Sequence, residues 1–402
     1  MKNPSFNPRL IALALIVATA TGIALFPMMQ QAQAIQQTQT TTVPPAQSHS
    51  IEVVFILDTT SSMSGLIQAA KEKIWSIANT MASAQQNPDI RMGLVAFRDR
   101  GDAYITRVYD LSEDLDSMYA SLMDFRAEGG GDGPESVNQA LYDAIHKVSW
   151  SQDGNVYKVA FLVGDAPPHM DYNNDVKYPV TLAAAKRKGI VVNTIQSGQH
   201  QYTRPAWQQI AALGQGEYFQ VEDSGNAVAV ATPFDEKLSV LASELEKTRI
   251  YYGDDDAREK QKAKLDANAK LREELSTEAL ARRSAYNATA SGKKNFLGES
   301  ELVDAVTSGR VELDDIKRED LPASMQTMAP AEAMGVINEQ AQRRDALQQE
   351  IRELSESRNR FIRERVDAEG GADDSLDEKI YRAVKDQAAS VGLTYEADSA
   401  KY

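Results

Sequence analysis

Residues 51–62 read IEVVFILDTTSS, and this stretch decides the fold. Val53, Val54, Phe55, Ile56 and Leu57 form an unbroken apolar run rich in β-branched residues. Such a run fits a parallel strand buried on both faces. It ends on Asp58, and Thr60 and Ser62 follow at intervals of two. Open α/β sheets bind ligands at the carboxyl ends of their strands. Carboxylate and hydroxyl oxygens gathered there suit a hard cation such as Mg²⁺.

Outward from this strand, strands and helices alternate as far as about Val221. The pattern predicts strands over 90–97, 156–164, 190–195 and 218–221, with a short one near 104–109. It predicts helices over 66–81, 115–125, 137–148, 178–188, 205–213 and about 232–251. Alternation of this kind implies a doubly wound, mostly parallel sheet flanked by helices. The strand Val156–Gly164 also runs into an aspartate, Asp165, so two carboxylates are expected at strand ends.

Composition shifts after Gly253. Residues 254–281 are dense in charge and alanine and read as a largely solvated helix. The longest helical pattern runs from about Glu332 to Val366, with Leu347, Ile351, Leu354 and Phe361 near heptad spacing and Arg358 interrupting them. The stripe is too short for a sustained coiled coil and fits an amphipathic helix packed on a neighbour. Ser375 and Glu378 form a capping-box pattern opening a last helix that closes at Gly392. A mainly α-helical C-terminal region over 254–402 is the expectation.

At the other end, Lys2 and Arg9 precede the apolar run Leu10–Phe26, and Ala32-Gln33-Ala34 follows. This is the layout of a secretory leader cleaved after Ala34. An uncleaved anchor is the competing reading, although the run is short for a span of roughly 20 residues. The expected organisation is a leader over 1–34, a Gln/Thr/Pro-rich linker over 35–50, the α/β domain over 51–250, and the helical region. A periplasmic or secreted location follows, with no stable membrane span after cleavage.

The formal charge of −15 offers phosphates no basic face, so nucleic acid is not an expected partner. The absence of cysteine excludes disulfides, a thiol nucleophile and Cys-ligated zinc.

Three segments together resemble a von Willebrand factor type A domain. They are the strand ending in Asp58-Thr59-Thr60-Ser61-Ser62, the loop Gly129-Gly130-Gly131-Asp132-Gly133-Pro134-Glu135, and the strand VAFLVGDAPPH ending on Asp165. The resemblance implies a metal-ion-dependent adhesion site. Asp58, Thr60 and Ser62 match its first loop and Asp165 its last. The second loop of the family supplies a threonine, which is missing here; Asp132 is the candidate replacement, with Glu135 behind it. The extra carboxylate could tilt the site from Mg²⁺ toward Ca²⁺ or Mn²⁺. The implied role is an exported, metal-dependent protein-binding module rather than an enzyme. Its partner would be a protein offering an acidic residue to complete the metal shell. The oligomeric state is left open. A structural envelope protein with a vestigial metal site is the alternative reading.

Other features read more plainly. His169 near Asp165 and Ser62 suggests a hydrolase, yet no G-x-S-x-G elbow or H-E-x-x-H helix accompanies them. Arg100-Gly101-Asp102 follows a strand and reads as a turn. Ser291-Gly292-Lys293 lacks the upstream glycine and strand of a phosphate loop.

Overall fold

A computed structural model describes residues 49–131, 133–221, 230–368 and 376–395. The leader, most of the linker and Asp132 lie outside these residues. Among the described residues, six strands form one sheet in the order β3-β2-β1-β4-β5-β6. These are β1 (Ser50–Asp58), β2 (Asp89–Phe97), β3 (Thr106–Ser112), β4 (Val156–Gly164), β5 (Ile190–Ser197) and β6 (Gln215–Val221). All neighbours are parallel except β2 and β3.

The alternation along β1 explains the layering. Ile51, Val53, Phe55 and Leu57 face one core, and Val54 and Ile56 face the other. The second core is closed by α3 (Val137–His146), α4 (Tyr178–Arg187) and α5 (Arg204–Leu213). The first is closed by α1 (Ser64–Ala82) and α2 (Leu115–Met123), and then by helices from much later in the chain.

After β6, the chain forms α6 (Asp235–Glu246), α7 (Asp255–Glu274), α8 (Thr277–Asn287), α9 (Lys293–Leu297), α10 (Leu302–Thr307), α11 (Pro330–Ala368) and α12 (Leu376–Ala388). The region is not an appendage. α7 packs on α2 and α8 on α1, with Trp75 meeting Tyr119 and Tyr286 at ring-centroid distances of 5.5 and 5.8 Å. α12 lies against α1 and β6, and Ile380, Tyr381, Val384 and Leu393 are buried in the same core as Phe55, Phe161 and Phe219. Gln387 accepts a hydrogen bond from Tyr157 and donates one to the Asn193 side chain. α6 itself packs on α8 and α11.

Buried ion pairs fasten this clasp. Arg283 of α8 donates to both Asp116 oxygens at 2.6 and 2.8 Å and to Glu246 at 2.9 Å. Arg358, the residue that breaks the heptad pattern of α11, is buried and donates to Asp235 of α6 at 2.6 Å. The long helix is thus packed on its neighbours within the chain. No helix among the described residues is long and apolar enough to cross a membrane.

Candidate metal centre

β1 lies between β2 and β4, so Asp58 ends the strand at which the sheet order switches direction, where a crevice opens. Asp58 is 1% exposed. Its Oδ1 accepts from the Thr60 backbone N–H at 2.9 Å and from the Thr60 hydroxyl at 2.7 Å. Thr60 Oγ1 lies 3.3 Å from Ser62 Oγ. The D-x-T-x-S spacing therefore folds three oxygen-bearing side chains into one tight turn. Gly164 allows the close approach of β4, since a Cβ there would sit 2.9 Å from that of Asp58.

The second loop is stitched to the first. Glu128 N–H donates to Thr59 O, and Ser61 N–H to Gly129 O. Gly129 has φ +79°, and a side chain there would run into the Asp102 carboxylate. Asp102 accepts from Gly130 N–H at 3.0 Å. The third loop is stitched to the second, with Glu135 N–H donating to Pro167 O and His169 N–H to Glu135 O. Asp99 braces the junction by accepting from Ser136 Oγ at 2.9 Å and from Tyr172 Oη at 2.8 Å.

Three buried carboxylate oxygens here have no hydrogen-bond partner: Asp58 Oδ2, Glu135 Oε2 and Asp165 Oδ1. Burial pushes the Asp58 carboxyl up to about 7 against the hydrogen bonds from Thr60, with Asp165 adding to the rise. Burial also lifts Glu135, with Asp58, Asp99, Asp102 and Asp165 nearby, to about 9. Unsatisfied buried acids are costly. A divalent cation is the group whose charge and hardness answer all three. No three acidic or histidine side chains among the described residues are gathered tightly enough to hold an ion by themselves. An ion at this place would also use the Thr60 and Ser62 hydroxyls and the waters that Mg²⁺ retains.

Asp58, Thr60, Ser62 and Asp165 thus stand at one end of the sheet, as expected. Asp132 lies outside the described residues. Glu135, ranked behind it by sequence, is 3% exposed and turned inward. Its backbone is paired with residues 167–169 of the third loop, a contact that local sequence does not announce. Asp99 carries no motif, and Asp102 reads from sequence only as part of the Arg100-Gly101-Asp102 turn, so the bracing role of both comes from the structure. The Arg100-Gly101-Asp102 segment is a turn with Gly101 at φ +94°. Arg100 pairs with Asp175 and lies over the Tyr172 ring, and Asp102 faces the glycine loop. His169 stacks on Tyr172 and bonds Asp171 at 2.8 Å, while the Ser62 hydroxyl meets Thr60.

Comparison with known proteins gives the following. A model of the von Willebrand factor A domain matches residues 52–232. The alpha-protein kinase vwkA of Dictyostelium discoideum is 28% identical over 124 residues, which are 30% of this chain and 19% of that protein. The chain thus spans about a fifth of the length of this curated relative. Among solved structures, the SpRpn10 VWA domain aligns over 45% of this chain and 90% of that one, at 14% identity and a TM-score of 0.34. Proximal thread matrix protein 1 from the mussel byssus, with a zinc-occupied MIDAS motif, aligns over 44% of this chain and 43% of that one, at 17% identity and a TM-score of 0.35.

Proposed function

Because a model of the von Willebrand factor A domain matches residues 52–232, we propose that the chain is a metal-dependent protein-binding module and not an enzyme. The observation that carries this reading is the trio of buried, unpartnered carboxylate oxygens on Asp58, Glu135 and Asp165. Asp58, Thr60, Ser62, Glu135 and Asp165 are the proposed ligands, and Mg²⁺ is the proposed ion, with Ca²⁺ and Mn²⁺ as alternatives. A bound divalent cation supplies the positive charge and an exchangeable coordination position for an acidic residue of a partner protein. The protein's part is to hold Asp58, Thr60 and Ser62 in one turn and to tie the loops of Glu135 and Asp165 beside it, so little ordering is left for binding. The Ser62 and His169 side chains bond Thr60 and Asp171, which favours binding over turnover. Export through the leader over 1–34, to the periplasm or beyond, completes the proposal.

Calorimetric titration with Mg²⁺, Ca²⁺ and Mn²⁺ tests it. Wild type should bind at least one ion, and Asp58→Ala and Glu135→Gln should lose most of that affinity. Equal binding by all three proteins, or none by wild type, overturns the reading. Mass measurement of the exported protein checks cleavage after Ala34.

A further inference from the structure

Among the described residues eight large apolar side chains are more than a third exposed, and five of them lie at one end of the sheet, while Leu213, Val240 and Leu265 lie elsewhere. The five are Ile105, Met170, Val176, Val180 and Tyr202. All five lie on the loops or first helical turn at the end of the sheet that carries Asp58 and Asp165. Ile105 follows β2, its carbonyl accepting from Arg98 N–H. Met170 and Val176 lie between β4 and α4, Val180 opens α4, and Tyr202 lies between β5 and α5. An apolar patch of this kind marks an interaction surface when it clusters, and needs no explanation when scattered.

The cleft beside the candidate metal centre shows how the patch meets the site. It has a volume of about 460 Å³. Ser62, Glu135 and Asp165 line it together with Pro134, Pro167 and Tyr202. Tyr202 is 92% exposed, yet its loop is tied down. Thr203 N–H donates to His200 O, and the Thr203 hydroxyl donates to the Asp165 carbonyl at 2.8 Å. An exposed aromatic residue thus lines the same cleft as three proposed metal ligands, on a loop anchored through its neighbour Thr203. Tyrosines set beside a desolvated anchor point carry a large share of binding energy in protein interfaces. The attraction for an acidic visitor would come from the bound ion, with the guanidinium of the buried Arg98 nearby.

We propose that Tyr202 is a specificity-determining contact, and that the partner is a protein segment bearing a carboxylate with a large apolar side chain beside it. The carboxylate completes the ion's shell, and the apolar neighbour packs on Tyr202 across Pro134 and Pro167. This rests on the metal-dependent binding proposed above and adds the second half of the recognised motif.

Selection of a phage-displayed random peptide library on the whole protein in MgCl₂ tests it, with elution by chelator. The expected peptides carry Asp or Glu next to an aromatic or long aliphatic residue. Their affinity should fall roughly tenfold or more in Tyr202→Ala, the loss expected of an interface anchor. Mg²⁺ affinity should not change, and Val240→Ala, exposed on α6, should bind the peptides as wild type does. Peptides with a carboxylate and no apolar preference, bound equally by Tyr202→Ala, overturn the inference and leave the metal-dependent reading standing. Normal Mg²⁺ binding with no chelator-eluted peptide also overturns it. Absence of Mg²⁺ binding in wild type fails both readings together.

Discussion

Asp116 and Asp58 are 0% and 1% exposed, and the protein treats them in opposite ways. Asp116, on the face clasped by the C-terminal helices, meets the Arg283 guanidinium through both oxygens. Burial pushes its carboxyl up, but the guanidinium outweighs burial and holds it at about 2. Asp58, at the loop end, has one oxygen turned to Thr60 and the other to no partner, and burial drives it up to about 7. The same contrast separates Asp235 and Glu301, which meet Arg358 and Arg344, from Glu135 and Asp165. Asp116, Asp235 and Glu301 are finished structure, whereas Asp58, Glu135 and Asp165 each keep a buried oxygen open at one end of the sheet.

The largest test of this contrast removes residues 376–395. Ile380, Tyr381, Val384 and Leu393 leave the sheet's core, and each is worth about 1.5–3 kcal/mol. Four such losses approach the whole margin of a domain, about 5–15 kcal/mol. The shortened protein should show no cooperative melt by circular dichroism and no Mg²⁺ binding. A cooperative, metal-binding product would show that the two regions are independent.

Next in size is Arg283→Met, which takes from Asp116 the guanidinium that both of its oxygens face, while Glu246 keeps Arg272 at 3.0 Å. A stability loss of about 3–5 kcal/mol is expected in urea unfolding, with Mg²⁺ affinity of the folded protein unchanged. Glu135→Gln should do the reverse. Metal affinity should fall roughly tenfold or more, about 1.4 kcal/mol, while the metal-free protein is as stable as wild type or more so. If both substitutions behave alike, the distinction between paired and orphaned acids is lost.

The smallest effect is a slope. Asp58 and Glu135 titrate at about 7 and about 9 in the fold, against ordinary values of 3.8 and 4.5. Both hold protons more firmly folded than unfolded. Their contribution to the metal-free protein is therefore complete at low pH and is lost as pH rises through 7 toward 9. Asp116 runs the other way, its contribution being present above 3.8 and lost as pH falls toward about 2. Urea midpoints across pH should show the alkaline decline flattened by Glu135→Gln and by saturating Mg²⁺ in wild type. An unaltered decline in both cases would remove Glu135 from the site.

Local pattern reached the sheet and the first loop because both are written in short-range periodicity. The run before Asp58 and the strand Val156–Gly164 have the bounds expected of them within a residue or two. The antiparallel partner of β2 runs to Ser112, further than its weak apolar pattern suggested. What pattern did not reach depends on distant contacts. The spacing of Ile380, Val384 and Ala388 declares an amphipathic helix but not the surface it covers. Arg283 lies just past the charged stretch that reads as solvated, and Arg358 reads as a break in an apolar stripe; only their partners on other helices reveal both as interior. Glu135 and Asp132 are three positions apart on one loop. The pairing of Glu135 with residues 167–169, far along the chain, turns its side chain inward.

The placement of α12 also governs the order in which this molecule can be made. Its side chains complete a core begun at Ile51, more than three hundred positions earlier in the chain. Synthesis runs from the N-terminus, so the strands exist long before the helix that covers them. Contacts of such sequence separation slow folding and lengthen the exposure of apolar sheet surface. The sheet face that α12 covers therefore stays open until residues 376–395 have been synthesised. A product interrupted anywhere before residue 376 would present an uncovered sheet, and would be expected to aggregate or be cleared rather than compete for the partner.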